Sequence, residues 1–567
     1  MLPRARRDAS DHRYQPALRG GLPAADGGRL PLSGARDRDR QRGAAGAAGR
    51  RVPRGRGHDS LFLASHAGRR FRRYSRTVLR RPPRADRLAA FLALSALLAG
   101  CGGAAKHAAP PPAKPAKPRV LAFVRPARPH KRAKLVITVV NGDTHRRVRG
   151  ARVTLWRRHD LTDRHGVAVI RVPWRRPLHV SVRARGYSGR SVYEEFQAYR
   201  KVTIRIYRPE LQWPVYGASA KRTQAQTHIA LRPPFKAVWS TAVGGLIEFP
   251  AVVWNGNAYI GNARGTIRAL SMRNGAVRWR HDTPHGKMAS SPAIVGNDVL
   301  YHGMNGAVYV LDRATGKLLW HRYVGSPIES SPLVRHGVDF FGAWDGRLYA
   351  LDLRTRRLRW VRNLGAKITS SAAIAGSRLF IGDYAGRIWA LDPRTGRTRW
   401  VRSVNGRVYG TPAVLDGRVF VPSSTGNSMT AFSTTGRYLW RVNTGAYVYS
   451  SPAAWGGRVF FGSYNGVFYS VSARNGRVLW QIGTGGPISG AAVVVDGVAY
   501  AGSFAHRIYG VDARSGRVLV RFPHGHYVPV SGNGGRLLFH GYGALFGMEP
   551  QMRHHRHHKR HHVRKVR

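Results

Sequence analysis

The chain has 567 residues, 95 Lys and Arg against 27 Asp and Glu, a formal charge of +68, and one cysteine. That length exceeds one ordinary core and points to two or more domains, while 43% hydrophobic and 10% aromatic residues exclude a wholly disordered chain. A single cysteine excludes an intrachain disulfide, and a cationic surface favours polyanions or anionic membranes over cationic partners.

Residues 1–77 are rich in Arg, Gly, Ala and Asp without apolar periodicity, and read as a disordered extension or as sequence upstream of the true start. A start at Val78 leaves a signal peptide of ordinary length over 78–100. Within it, 88–100 (LAAFLALSALLAG) follows Arg80, Arg81, Arg84 and Arg87. The run is short of the roughly 20 residues that span a bilayer as a helix and has the flanks of a cleaved signal. It ends Leu98-Ala99-Gly100-Cys101, which resembles the bacterial lipobox. The resemblance implies a diacylglyceryl group on Cys101, loss of residues 1–100 from the mature protein, and an extracytoplasmic lipoprotein held at the cell membrane. Two acyl chains make that anchoring stable.

Residues 101–118 carry Pro110-Pro111-Pro112 and a Lys-Pro-Ala-Lys-Pro run, a semi-rigid spacer. Residues 119–208 show five strand patterns, at 134–140, 151–156, 167–172, 178–182 and 201–207, with β-branched and aromatic enrichment. Thr162-Asp163 with Gly166 supplies a turn. Gly150-Ala151, Thr162 to Gly166 and Gly186-Tyr187 resemble the carboxypeptidase-regulatory-like β-sandwich, which implies an accessory, non-catalytic domain.

From residue 209 to 550 the sequence is periodic. Trp239, Trp279, Trp320, Trp360, Trp400, Trp440 and Trp480 recur every 40 or 41 residues, the length of a β-propeller blade. Before a Trp comes a turn, as in Asp312 to Gly316 and Asp392 to Gly396; after it comes a small-residue step, as in Ser330-Ser331-Pro332. The pattern at Ala390 to Trp400, with the lead-in Trp213 to Gly217 and Arg222-Thr223, resembles the pyrroloquinoline-quinone-type propeller repeat. The seven Trp are therefore read as structural. Phe235–Thr241 is a strand without a unit and 526–550 a unit without a fourth strand, with Val520 where an eighth Trp would stand. Joining them closes the ring and removes the sheet edge. The expected fold is all-β: an eight-bladed propeller preceded by a small β-sandwich.

The resemblance raises a quinone held over calcium, a site that needs convergent oxygen ligands. Asp312, Asp352, Asp392 and Asp512 share one repeat position and read as turn residues. Glu248 and Glu329 are the unusual acids, just before inner strands, two repeats apart and without visible partners. No catalytic residue, metal or cofactor is expected, and pyrroloquinoline quinone with calcium enters only if the chain is instead a quinone-dependent oxidoreductase. The aromatic residues offer more. Trp344, Tyr384, Tyr464 and Phe504 fall at hairpin tips, and Tyr409 and Tyr449 at inner-strand starts, all on one face. The Thr-Gly-Lys/Arg turns, as at Lys317 and Arg397, fall on the other, so that one face reads as aromatic and the opposite one as basic. An exposed aromatic cluster marks a binding site.

The tail, 551–567, holds six His and seven Lys or Arg and reads as a cationic segment with composition suited to membrane or wall polymer. The function expected is a monomeric, non-catalytic module binding an envelope protein or anionic polymer. Nucleic acid is not expected, given the export signal and the lack of a recognition motif.

Overall fold

The computed structural model describes residues 133–172, 178–194, 200–284 and 286–551, within one compact unit spanning Arg119–Arg567. The readings of 1–77, of the signal at 78–100, of Cys101, of the 101–118 linker and of the tail beyond 551 lie outside the described residues. Apart from a 3-10 turn at Pro209–Leu211, every regular element among them is a strand.

The first domain packs two sheets face to face. In one, Ala133–Asn141 pairs antiparallel with Val167–Val172 and parallel with Arg200–Ile206. In the other, the order is Arg158–Leu161, Arg152–Leu155, Leu178–Arg183, Arg190–Glu194. Alternate residues of both sheets (Leu135, Ile137 and Val139 against Val153, Leu155, Val180 and Val182) make one core. Two strands beyond the five expected, Arg158–Leu161 and Arg190–Glu194, are the edges of the second sheet. Their sequences, RHDL and RSVYE, lack apolar alternation because an edge strand is held largely by backbone pairing on one side. The expected turn is built from side chains: Thr162 Oγ1 accepts from Ala151 N–H and donates to Val148 O, and Asp163 Oδ1 accepts from His165 and Val167 N–H.

The second domain contains eight sheets of the repeat, each with four antiparallel strands; the one at 493–523 takes Ala225–Gln226 as a fifth, parallel strand. Seven are consecutive, at 252–282, 293–323, 333–363, 373–403, 413–443, 453–483 and 493–523, called blades 1 to 7 here. In the eighth, Gly525–Asn533, Arg536–Gly541 and Ala544–Pro550 are completed by Phe235–Ala242, which pairs with Ala544–Pro550 and puts Trp239 opposite Gly547. The innermost strand of each blade begins on one face of the ring, the mouth face, and ends on the other, the plug face.

Each repeat Trp is explained by its surroundings. The residue opposite it is small at six of the seven, as Ala350 is to Trp360 and Ala390 to Trp400, and is Val310 at Trp320; a bulge lies beside each pair. Six of the seven indole N–H groups donate to a carbonyl in the turn of the following blade, for instance Trp400 to Thr434 O at 3.0 Å. A left-handed glycine of that turn lies under the ring, where a Cβ would collide with it, as at Gly436 beneath Trp400.

On the plug face the lead-in closes the channel. Leu211, Trp213, Pro214, Ala220, Lys221, Thr223 and Gln224 each accept an N–H from a different blade, at Gly534, Val253, Ile294, Ile374, Val414, Ala454 and Val494. Fully buried Arg222 supplies the missing one: Nη2 donates to Ser331 O and Pro332 O of blade 3, while Nε and Nη1 bond Ala372 O and Tyr216 O. Burial lowers its pKa to about 10. The small-residue steps line the wall above the plug. The N–H of Ser291, Ser331, Ser371 and Thr411 donates in turn to the hydroxyl of Ser331, Ser371, Thr411 and Ser451, one blade on. The chain thus stitches blades 2 to 6 together through a buried arc of hydroxyls.

Candidate functional site

The mouth is assembled from three positions of the 40-residue unit. Glu248, Glu329, Tyr409 and Tyr449 occupy one of them, and the hairpin tips Trp344, Tyr384, Tyr464 and Phe504 another. Lys287, Lys367, Arg407 and Tyr447 occupy a third, which sequence reasoning passed over although its 40-residue spacing was legible.

Glu329 is the centre of the arrangement. Its carboxylate is buried and accepts the Trp344 indole N–H at 3.0 Å and the Tyr409 hydroxyl at 2.6 Å. Glu329 precedes blade 3 and Tyr409 precedes blade 5, so this bond skips a blade at the mouth. Burial pushes the Glu329 carboxyl up, while the two donors and then Lys367 pull it back. The same burial, with Glu329 nearby, raises Tyr409 and Tyr384 well above the usual phenol range. The next residue, Ser330, accepts His302 Nδ1 at 2.6 Å through its carbonyl; His302 Nε2 meets Asp339 Oδ2 at 2.9 Å, both side chains fully buried.

From Glu329 a row of rings runs round the mouth. Successive centroids are 6.5 Å apart at Tyr384–Tyr409, 5.3 Å at Tyr409–Tyr449, 5.0 Å at Tyr449–Tyr464 and 6.1 Å at Tyr464–Phe504. Phe504 then stacks on His526 at 4.3 Å, and His526 meets Tyr527 and Tyr542 edge-on. Burial, aided by His506, lowers the His526 imidazole to about 4 and so favours its neutral form. All six aromatic residues singled out from the sequence belong to this site. They are half-buried: five pack on one another, and Trp344 packs against Lys367; Tyr447 and Tyr542, which were not singled out, are the exposed ones at 46% and 49%.

Lys367 Nζ lies between the Trp344 and Tyr384 rings, 3.3 Å from the Trp344 centroid and 5.0 Å from that of Tyr384. Two expectations need correction. The aromatic face is not distinct from a basic one, because Lys287, Lys367 and Arg407 stand on it, with Arg407 Cζ 5.7 Å from the Tyr384 ring. Cations and rings attract, so the two residue types interleave. Nor do the two glutamates lack partners, since Glu248 pairs with Lys287 at 3.4 Å and Glu329 holds Trp344 and Tyr409. Lys287 and Tyr409 come from other repeats, and Trp344 from the hairpin tip of the same blade.

The donor set does not fit a quinone held over calcium. Calcium takes about six to eight oxygens, carboxylates prominent among them. At the mouth the two glutamates are each engaged by a side chain of the protein. No group of three or more His, Cys, Asp or Glu among the described residues is placed to hold a metal. No described helix is long and apolar enough to cross a membrane.

A family model described as outer membrane protein assembly factor BamB matches residues 263–367 and 344–540. No curated protein matches the chain. Among solved structures, quinohemoprotein alcohol dehydrogenase from Comamonas testosteroni is similar with a TM-score of 0.53 and 13% identity, over 60% of this chain and 81% of that one. A europium-containing methanol dehydrogenase gives 0.52 and 13%, over 60% and 98%. BamB from Moraxella catarrhalis gives 0.49 and 18%, over 57% and 100%. At such identities the likeness is one of fold, and fold alone does not assign an activity.

Proposed function

This chain is a β-propeller repeat protein of the pyrroloquinoline-quinone-like type, and we propose that it is a non-catalytic binding module, anchored outside the cytoplasm through a lipid on Cys101, that captures an envelope protein or polymer at its mouth. The observation that carries the reading is the unbroken row of half-buried rings from Tyr384 to Tyr527 on the face opposite the plug. Large rings combine apolar area with few rotatable bonds, which suits them to interfaces. The assembly-factor family description supports a binding role, and the engaged state of both mouth glutamates weighs against a cofactor there.

The test is capture of the native partner by crosslinking in its own membrane. Trp344→Ala with Tyr384→Ala abolishes capture; charge reversal at Lys317 and Arg397, on the plug face, changes its salt dependence and leaves capture at high salt intact. The opposite pattern moves the working surface to the turns. A purified protein carrying a quinone chromophore and reducing an acceptor with an alcohol or sugar overturns the reading in favour of a quinone-dependent oxidoreductase. The anchor is tested separately: Cys101→Ala releases the protein from membranes or leaves an uncleaved precursor, and wild-type protein that is fully soluble with residues 1–100 intact contradicts it.

A further inference from the structure

We propose that the far end of the sandwich is a membrane-contact tip: the turn Trp156-Arg157 and the cations beside it rest among the headgroups of an anionic lipid surface, and the mouth is turned away from that surface. This goes beyond the binding-module reading and rests on one part of it, the lipid on Cys101.

The first ground is where the two ends of the sandwich lie. One end is held by the propeller. Just past the end of Ala133–Asn141, Asp143 is buried against Gly534 and Gly535. Just past Arg200–Ile206, buried Tyr207 lies against Gly256, and Ser188 Oγ donates to Asn255 Oδ1 at 2.5 Å. Asn255-Gly256 and Gly534-Gly535 each follow an innermost strand, so the sandwich stands on the plug face. The other end is the start of Ala133–Asn141, nine residues and so roughly 30 Å away at about 3.3 Å per residue. There Ala133 pairs with Val172 and Lys134 with Arg171. Arg158 Nη1 donates to Arg171 O at 3.0 Å, which brings the end of the Leu155–Arg158 hairpin beside the strand start. Residues 102–132 lead from Cys101 to that point. A chain anchored at Cys101 therefore meets the folded protein at the end opposite the propeller, and a tethered surface needs only weak intrinsic affinity to stay engaged.

The second ground is the turn itself. Trp156 is 49% exposed and its φ is 49°, a backbone region that glycine adopts freely and a bulky residue rarely. Neither burial nor backbone preference accounts for an indole at the first central position of a two-residue hairpin turn, where Gly or Asn is usual. A bilayer interface does, because it takes an indole at headgroup depth as an amphipathic ring. Lys134, Arg157, Arg158 and Arg171 stand exposed at the same end. Lys134 directly opposite Arg171 is a like-charge pair, unfavourable in the free protein and relieved beside an anionic surface. Asp160, the acid of this hairpin, accepts the Leu161 and Val169 N–H groups. With the sandwich upright, the basic turns of the plug face stand beyond the roughly 8–10 Å over which charges act in physiological salt. The contact therefore falls to the tip and not to the larger basic face.

The test uses the lipid-anchored protein in vesicles of phosphatidylcholine and phosphatidylglycerol that carry a headgroup nitroxide. Cys101 is the only cysteine and is acylated in the anchored protein, so a small thiol-reactive fluorophore reports one introduced position: Arg157→Cys at the tip, Lys317→Cys on the plug face or Tyr447→Cys at the mouth. The label at 157 is quenched, and those at 317 and 447 are not. Adding Trp156→Gly to Arg157→Cys removes the quenching while the melting temperature holds or rises, because the backbone strain is relieved. A clear fall in melting temperature makes Trp156 a structural residue and overturns the proposal. Quenching as strong in phosphatidylcholine alone removes the anionic surface and also overturns it, and quenching at 447 with none at 157 reverses the orientation and does the same. A label at 157 that shifts its emission in native membranes yet is not quenched in vesicles puts a protein or polymer on the tip instead. Wild-type protein that takes the label at Cys101 has no lipid there, and the anchor falls together with the tip. Protein that stays on the vesicles without quenching at 157 overturns the tip and leaves the anchor standing.

Discussion

The two ends of the channel are built from the same repeat and put their polar groups to opposite uses. At the plug, every donor of Arg222 that bonds is met by a main-chain carbonyl, and the lead-in takes one backbone bond from almost every blade. At the mouth, side chains meet side chains: Glu329 with Trp344 and Tyr409, Lys367 with Trp344, Tyr409 with Tyr449. Bonds to the backbone fix blades relative to one another and leave nothing to offer a partner. Half-buried rings and cations touching one another are ordered before a ligand arrives, which lowers the cost of ordering them on binding. The plug is the stability end, and the mouth is the end proposed above for recognition.

That contrast breaks first at Arg222. Arg222→Met should lower unfolding stability by about 4 kcal/mol or more, because several buried carbonyls at roughly 1–3 kcal/mol each lose their donor; chemical denaturation measures it, and a loss under about 1 kcal/mol would show that the lead-in is not a plug. Trp400→Ala follows at about 3–5 kcal/mol, the usual range for truncating a buried Trp. An unchanged melting temperature there would mean the ring does not bridge blades 4 and 5.

A third effect belongs to the junction between the domains. Asp143 of the sandwich is buried against Gly534 and Gly535, and desolvation, opposed by the Gly535 N–H and aided by Glu210, raises its pKa from 3.8 to about 7. A carboxyl raised in the folded state keeps its proton where the unfolded chain has lost it. Its contribution is therefore full below pH 4 and is lost as pH climbs toward 7. Asp143→Asn should remove that slope and leave the variant more stable than wild type at pH 8 by about 1 kcal/mol or more, since a tenfold change in proton affinity corresponds to about 1.4 kcal/mol. Parallel melting curves from pH 4 to 8 for the two proteins would contradict it.

The smallest effect comes from the turn that departs from the repeat. Where other turns place a left-handed Gly under the preceding Trp, blade 3 has Arg356 at φ 59°, its guanidinium 5.7 Å from Trp320. Arg356→Gly relieves roughly 1–2 kcal/mol of backbone strain and gives up about 0.5–1 kcal/mol of cation–π attraction. A rise in stability of at most about 1.5 kcal/mol is expected, and a clear loss would show that the cation–π contact outweighs the strain.

What the sequence showed and what it hid divide along the same line. The Trp period, the hydroxyl steps and the strand at Phe235–Ala242 were legible because each is a local feature repeated every 40 residues. The six aromatic positions were legible on one face for the same reason. The Glu329–Tyr409 bond was not, because it depends on how blades two apart meet at the mouth. Lys367 and Arg407 were overlooked because two basic positions do not stand out in a chain with 95 Lys and Arg, although their spacing matched. The edge strands of the sandwich were missed because backbone pairing needs no apolar alternation, and Arg222 because nothing in Lys221-Arg222-Thr223 distinguishes a buried arginine from the many on the surface.

The most direct test of the division is to place a photoreactive aromatic residue at Tyr447, on the mouth, and in a second protein at Lys317, on the plug face, and to irradiate each in its native membrane. A recognition mouth gives a specific adduct from position 447, lost when Tyr384→Ala is added, and none from position 317; an adduct from 317 alone would contradict it.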